Sequence, residues 1–485
     1  MSAGVHMRCI GLGLPLLLSI ACPMSSPPHA PRTFHVAPGG DDGGPGSREE
    51  PWATLHHAAW TLKAGDHVLV HGGTYAIADE IRPRHSGTED AWIVYAAAPG
   101  EEVIIDATAV PVPVPRRPPF AHDRGAFQIE GVAYLRVQGL TIRNSHRAGI
   151  TIRDSHHVVV LDNTIQSTFT SGIAAWDSQH DGTGTDHIEI RGNTVTHTNT
   201  WDMLPPGWVR GREPPHEAIS LGGVRHFEVS HNHVHHCDKE GIDIKENSGH
   251  GRVHHNHVHH VARQGLYVDG WFDTLQDVEL FENVVHDNGS AGVAISVENG
   301  PAVQDLRVHH NLIYDNQGSG VYFSRWGDGP RRNVVLEHNT IHHNGHGQAK
   351  KDEAHFWMTG GIYLLSGNLE GIEIRDNVLS ANRAFQIGVS HYLREGAADT
   401  EAALAAKQIV IERNLIDADA DLEPPIAVAK GPPEHAQVWP TRGRDAIVGA
   451  ADFVDAPAGD FRLRKGSVGT QSGTIPGART VQEDD

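Results

Sequence analysis

The sequence predicts an all-β solenoid, with parallel strands wound into roughly ten coils and a helix capping the N-terminal end. Three observations carry this prediction. A phrase of Asn, a spacer and an apolar residue recurs at Asn163, Asn193, Asn232, Asn256, Asn283, Asn311, Asn339, Asn377 and Asn414, at spacings of 30, 39, 24, 27, 28, 28, 38 and 37 residues. Between these phrases falls a second one, Gly-apolar-x-apolar, as in Gly241-Ile242-Asp243-Ile244, Gly265-Leu266-Tyr267-Val268 and Gly292-Val293-Ala294-Ile295. Both phrases alternate with a period of two between Gly, Asn and Asp turns, which is strand patterning and not that of a helical repeat. A unit this short cannot bury an apolar face alone. Neighbouring units must therefore stack into one continuous core, with inward Asn residues bonded in ladders.

In chain order, residues 1–22 come first. Arg8 precedes the apolar run 10–20 and the small residues Ala21 and Cys22, which is the pattern of a secretory signal peptide. The run is too short to span a bilayer, so no transmembrane span is expected. Ser19-Ile20-Ala21-Cys22 is similar to a lipoprotein signal, which allows a lipid anchor at Cys22. The expected location is therefore secreted, periplasmic or outer-membrane lipoprotein. Residues 23–32, rich in Pro and Ser, read as a tether. Residues 33–134 read as an N-terminal cap and first coils, with an amphipathic helix over 54–63 and a turn at Gly65-Asp66 into the strand 68–70. The main β-helix with its groove loops covers 135–420. A C-terminal coil and cap cover 421–485, ending in the strand Asp460-Phe461-Arg462-Leu463. Both ends need caps because an open sheet edge invites further pairing.

Composition excludes several classes. With 39 Lys+Arg against 60 Asp+Glu the formal charge is −21, which argues against a nucleic-acid partner. Three cysteines cannot form a disulfide scaffold, and Cys237 is the only thiol expected within the fold. The chain is expected to work as a monomer.

The opening residues carry a resemblance. Phe34-His35-Val36-Ala37-Pro38-Gly39-Gly40-Asp41, Pro51-Trp52-Ala53-Thr54-Leu55, Ala64-Gly65-Asp66 and Gly72-Gly73-Thr74-Tyr75 resemble the start of secreted right-handed parallel β-helix proteins of the pectate lyase-like superfamily. The coil phrases and the Asp460-Phe461-Arg462-Leu463 ending are similar to that superfamily too. The resemblance implies a right-handed β-helix and a carbohydrate-active enzyme working outside the cytoplasm. Lyases, hydrolases and uronate epimerases share the scaffold, so it does not fix the reaction.

Insertions place the site, since loops on a solenoid gather on its binding face. Residues 201–215, 345–359 and 390–405, with the shorter 177–185, all flank Gly-apolar-x-apolar strands. The outward positions of that sheet are Ser220, then Asp243 and Lys245, then Tyr267, Asp269 and Trp271. Beyond these come Ala294, Ser296 and Glu298, then Tyr322, Ser324 and Arg325, and finally Tyr363. Lys245 should stack beneath Asp269, and Asp243 should lie about 8 Å diagonally from Asp269. That separation suits the ~6.5–9.5 Å between the carboxyls of an inverting glycosidase.

The favoured reading is a glycoside hydrolase acting on a polysaccharide or oligosaccharide. Asp243 and Asp269 are the acid and base, Glu298 is a third candidate, and no cofactor is required. Lys245 would hold Asp269 ionised and so favour it as the base. Tyr267, Trp271, Tyr322 and Tyr363 would face sugar rings. Arg263, Arg325, His216, Glu217, His355 and His391 would bind substrate from the groove margins. In the alternative, a polysaccharide lyase or uronate C5-epimerase, Asp243, Asp269 and Glu298 hold Ca²⁺ while Lys245, Arg263 or Arg325 removes a proton. A non-catalytic carbohydrate-binding solenoid is the third reading, with Lys245 and Asp269 a plain surface pair and the tyrosines a stacked ladder. The tracts His231–His236 and His254–His260 read as outward polar ladders, since zinc needs a closed set of ligands.

Overall fold

The computed structural model describes residues 31–112, 124–211, 215–346, 359–416, 426–427 and 437–468. The chain winds as a right-handed parallel β-helix, and each full coil gives one strand to each of three sheets. The first sheet has 13 strands, from Thr33–Val36 to Val410–Glu412, and the second has 13, from Gly73–Ala76 to Ile447–Val448. The third has 12 strands. It runs parallel from Gly125–Glu130 to Ile387–Ser390 and then adds the antiparallel strands Gln437–Pro440 and Ile426–Ala427. The count exceeds the expected ten because the earliest coils carry no Asn phrase, the first of which is at Asn163.

The core lies inside the three sheets. In the third sheet Ile173, Ile219, Ile242, Leu266, Val293, Val321 and Ile362 stack in register. All are buried. The Asn ladder closes one corner of the coil. Asn311 Nδ2 donates to Asn339 Oδ1 at 2.9 Å and to the Leu280 carbonyl at 2.9 Å, while its own Oδ1 accepts from Asn283 Nδ2 at 2.9 Å and Asn283 N at 3.0 Å. A second ladder, which the repeat phrases did not mark, joins Asn288, Asn316, Asn344 and Asn382 at 2.8–3.0 Å.

Every polar atom of such a rung is buried and bonded, so removing one side chain orphans its neighbours. Asn311→Leu, close in volume, is expected to destabilise its coils by about 3 kcal/mol, because an orphaned buried group costs ~1–3 kcal/mol. Stacked coils need not melt as one unit. Hydrogen exchange at the Asn283 and Asn311 coils is therefore the measurement, and unchanged protection there would exclude an energetic role for the ladder.

The histidines fall into two structural groups. Among the described residues fourteen have φ between +51° and +62°, most of them at coil corners, a left-handed conformation open to His as well as to Asn and Asp. His157, His187, His226 and His250 are one such column, with rings 4.3, 4.8 and 5.3 Å apart. His231 is also a corner residue, stacked on His255 at 4.8 Å. His233 and His235 lie on the second sheet, stacked on His257 and His259 at 5.0 and 5.3 Å. That column continues through His286 to Tyr314, 4.6 Å away.

Both caps form. The helix Leu55–Thr61 starts at Thr54, whose hydroxyl accepts from His57 N at 3.1 Å. The closing strand Asp460–Leu463 pairs with Phe453–Asp455 and sets Phe461 4.7 Å from Tyr314. Cys237 is a buried free thiol, pushed up to about 11 by burial. The expected signal peptide, nearly all of the tether, and Cys22 lie outside the described residues. Among the described residues no helix is long and apolar enough to cross a membrane.

Candidate active site

Two columns of outward side chains run up the third sheet, each fixed by the parallel register. One contains Ser220, Asp243, Tyr267, Ala294, Tyr322 and Tyr363. The other contains Trp176, Gly222, Lys245, Asp269 and Ser296. Gly222 is required there, because a β-carbon would come within 2.4 Å of the Trp176 ring.

A cavity of about 540 Å³ opens over the middle of these columns. Asp243, Lys245, Tyr267 and Asp269 line its floor. Trp176, His216 and Glu217 line one side, and Trp271, Phe272, Glu298 and Trp326 another. Lys239, Glu240, Glu246, Arg263 and Gln264 complete it. His180, from the short insertion, binds Glu246 at 2.9 Å and packs 4.3 Å from Phe272, so that loop bridges one end.

Lys245 organises the floor. Its ammonium donates to both Glu217 oxygens, at 2.9 and 3.0 Å, and stands 3.4 Å from Asp243 Oδ2. It also lies 5.6 Å from the Trp176 ring centroid, which is 5.0 Å from His216. Burial alone would drive the ammonium towards neutrality, but Glu217 and Asp243 raise it well above the ordinary lysine value. Burial also pushes Glu217 upward, yet Lys245, Lys239 and His216 outweigh it and hold Glu217 well below the usual carboxylate range.

The two aspartates behave in the opposite sense. Asp243 is fully buried in the floor, and neither of its oxygens has a hydrogen-bond partner. Burial is the main cause of a pKa well above the carboxylate range. Asp269 is pushed up to about 8, first by burial and next by the charge of Glu298. Its Oδ2 accepts from Trp271 Nε1 at 2.6 Å, and its Oδ1 is unpartnered. Glu298 reaches the cavity from the next coil, and its Oε1 accepts from the Tyr267 hydroxyl at 2.7 Å.

These contacts correct part of the sequence reading. Lys245 does stack under Asp269 in register, but its charge is spent on Glu217 and Asp243 and does not keep Asp269 ionised. Asp269 is therefore suited to give a proton, not to take one. Asp243 is fully buried, and burial favours its protonated form, which makes it a poor carboxylate partner for Asp269.

The aromatic column splits as well. Tyr322 and Tyr363 are buried in an apolar cluster that runs on from Tyr267 to Leu365, Phe385 and Val438, and neither lines the cavity, so they do not face a sugar. The antiparallel strand Gln437–Pro440, which carries Val438, covers that end of the sheet. Arg325 is also outside the cavity, paired with Asp328 at 3.0 Å and 3.5 Å over the Tyr392 ring. His391 begins a short helix, His391–Arg394, against Tyr392 and does not line the cavity. His355 lies outside the described residues. Arg263 does line the cavity, paired with Glu240 at 3.0 Å.

Comparison with known proteins fits this architecture. Residues 125–305 and 302–398 match the family described as right-handed β-helix region, which is more than half of the chain. The chain belongs to the right-handed β-helix family. Within that family, residues 34–204 match the Pel9A-like right-handed β-helix region, so the pectate lyase-like superfamily anticipated from the opening motifs is borne out. The chain is 31% identical over 224 residues to pectate lyase PEL9 of Emericella nidulans, covering 40% of this chain and 54% of that one. It is 27% identical over 216 residues to the uncharacterized protein YwoF of Bacillus subtilis, covering 44% and 43%. The chain thus spans about half the length of these curated β-helix relatives. A solved structure of XylC with xylose superposes with a TM-score of 0.57 at 15% identity, over 86% of each chain, which is a likeness of fold.

Proposed function

We propose that the cavity hydrolyses glycosidic bonds, with Asp269 as general acid and Glu298 as the partnering carboxylate. The observation that supports this most is the meeting of two carboxyls: burial and then the nearby charge of Glu298 push Asp269 up to about 8. Glycoside hydrolysis needs such a pair, one carboxyl holding a proton for the leaving oxygen and one carboxylate facing the anomeric carbon. Asp269 pairs with Ser296, and Glu298 lies two residues further on, just past the end of the strand Val293–Val297. Trp176, Trp271 and Trp326 supply flat apolar surfaces for a sugar ring. In this reading the protein is an extracytoplasmic, carbohydrate-active enzyme.

Elimination or epimerisation around Ca²⁺ fits these residues poorly. Lys245 donates to both Glu217 oxygens and stands 3.4 Å from Asp243, so its ammonium is engaged with this chain's own acids, which disfavours it as the base.

A panel of neutral and uronate polysaccharides tests the reaction class. Hydrolysis yields new reducing ends with no ultraviolet-absorbing unsaturated product. Release of an unsaturated sugar, or activity abolished by chelation, would replace this reading with the lyase.

A pH profile tests the acid. Asp269 has a raised pKa, so its proton is fully present at low pH and is lost as pH rises through about 8. The catalytic rate is expected to fall across that window. The same titration removes stability as pH rises, because the unfolded chain gives up this proton near 3.8. A rate flat to pH 9 would exclude Asp269 as the acid.

A further inference from the structure

We propose that His233, His257 and His259, with His286 completing the set, bind a divalent first-row transition-metal ion, zinc first among them, on the second sheet. The site is separate from the cavity, which lies on the third sheet. Sequence alone suggests a flat ladder with no closed ligand set, but the rings also meet diagonally. His233 Nε2 lies 2.8 Å from His259 Nε2, and His257 Nε2 lies 2.7 Å from His286 Nε2. One ring nitrogen each from His233, His257 and His259 falls within a sphere of mutual distances of 4.8 Å or less. Around a tetrahedral ion with bonds of 2.0–2.1 Å, ligand nitrogens stand about 3.3 Å apart. To reach that spacing the 2.7–2.8 Å pairs open slightly, and His286, which lies outside the three-ring group and 2.7 Å from His257, swings in towards it.

The surroundings already orient two of the rings. Asp287 Oδ2 accepts from His286 Nδ1 at 2.7 Å, and a carboxylate can only accept, so Nε2 of the neutral ring keeps its lone pair and points at the cluster. This is the carboxylate–imidazole arrangement that fixes metal-binding tautomers. His259 Nδ1 likewise meets His260 Nδ1 at 2.7 Å, which directs its Nε2 inward. Two rings sharing an N···N contact of 2.7–2.8 Å cannot both carry a proton there, so lone pairs are present in the cluster at neutral pH. An all-imidazole set suits zinc, copper or nickel and not calcium or magnesium. Among the described residues two other convergent groups, His156–His157–Asp186 and Asp186–His187–His226, also exist, but both include exposed side chains.

The test uses the full chain, stripped of metal and titrated calorimetrically with Zn²⁺, with the visible spectrum of Co²⁺ as a second probe of the ligands. One ion per chain is expected at this site. The triple variant His233→Gln/His257→Gln/His259→Gln should lose that ion and the tetrahedral Co²⁺ bands. Asp287→Asn, which leaves all four rings in place, should weaken binding by about tenfold. His187→Gln/His226→Gln should leave the ion bound. Circular dichroism verifies folding, and if the triple variant fails to fold, Asp287→Asn and His259→Gln decide the matter. Undiminished Zn²⁺ affinity in those two, or loss of the ion in His187→Gln/His226→Gln, overturns the assignment.

Discussion

Asp269→Asn is expected to lower kcat on the natural glycan by about 10²–10⁴-fold while KM stays nearly unchanged, since that is the usual contribution of a positioned general acid. The substitution is nearly isosteric. An amide oxygen still accepts from Trp271 Nε1, so the local geometry holds, but no proton is available for the leaving oxygen. Two further observations would separate chemistry from damage. The fall in rate near pH 8 should vanish, because the group that titrates there is gone. Aryl glycosides, whose leaving groups need no protonation, should retain far more activity than the natural substrate. Glu298→Gln, in contrast, should impair both substrate types, because the partnering carboxylate acts at the anomeric carbon whatever the leaving group. Asp243→Asn should have the smallest effect of the three, since Asp243 is fully buried in the floor beside Lys245. If Asp269→Asn loses natural and aryl substrates equally, Asp269 is not the acid.

Much of this arrangement is legible in the amino-acid sequence. Period-two alternation names the outward residues of the third sheet, and the register of Asp243 with Tyr267 and Lys245 with Asp269 follows from it directly. Stacking of His233 on His257 and His235 on His259 follows in the same way. Alternation is silent on what happens above the sheet. It cannot show that Glu217, two residues before its strand Ile219–Gly222, turns in to take the Lys245 ammonium. Nor can it show that the strand Gln437–Pro440 returns antiparallel and buries Tyr322 and Tyr363. Glu246 escapes the pattern because it breaks the alternation, sitting at φ +62°. Trp176 is within reach: extending the Lys245 column two coils back through Gly222 arrives at it. Diagonal contacts such as His233 with His259 depend on rotamers, which spacing does not encode.

Lys245→Met is expected to produce the largest loss of stability at the site, about 3–5 kcal/mol, because it leaves Glu217 buried without the ammonium that bonds both its oxygens. The size follows from burial: the Glu217 side chain is 8% exposed and cannot fall back on water. The pH dependence has a definite sign. In the wild type the depressed pKa of Glu217 contributes stability that is present above its ordinary value of 4.5 and is lost as pH falls. In the variant, desolvation acts without its largest opponent, so Glu217 prefers its proton and the deficit should narrow as the solution is acidified. Adding Glu217→Gln removes the stranded charge, and the double variant is expected to recover most of the lost stability, giving a coupling energy of several kcal/mol. The same pair discriminates between mechanisms. If Lys245 only organises the floor, the double variant regains activity along with stability, since Asp269 and Glu298 are untouched. If Lys245 removes a proton from a uronate, activity is absent in both variants however stable they are. Urea denaturation of the wild type, Lys245→Met, Glu217→Gln and the double variant, read beside their turnover on one substrate, distinguishes an ion pair that shapes a hydrolase floor from a base that performs elimination.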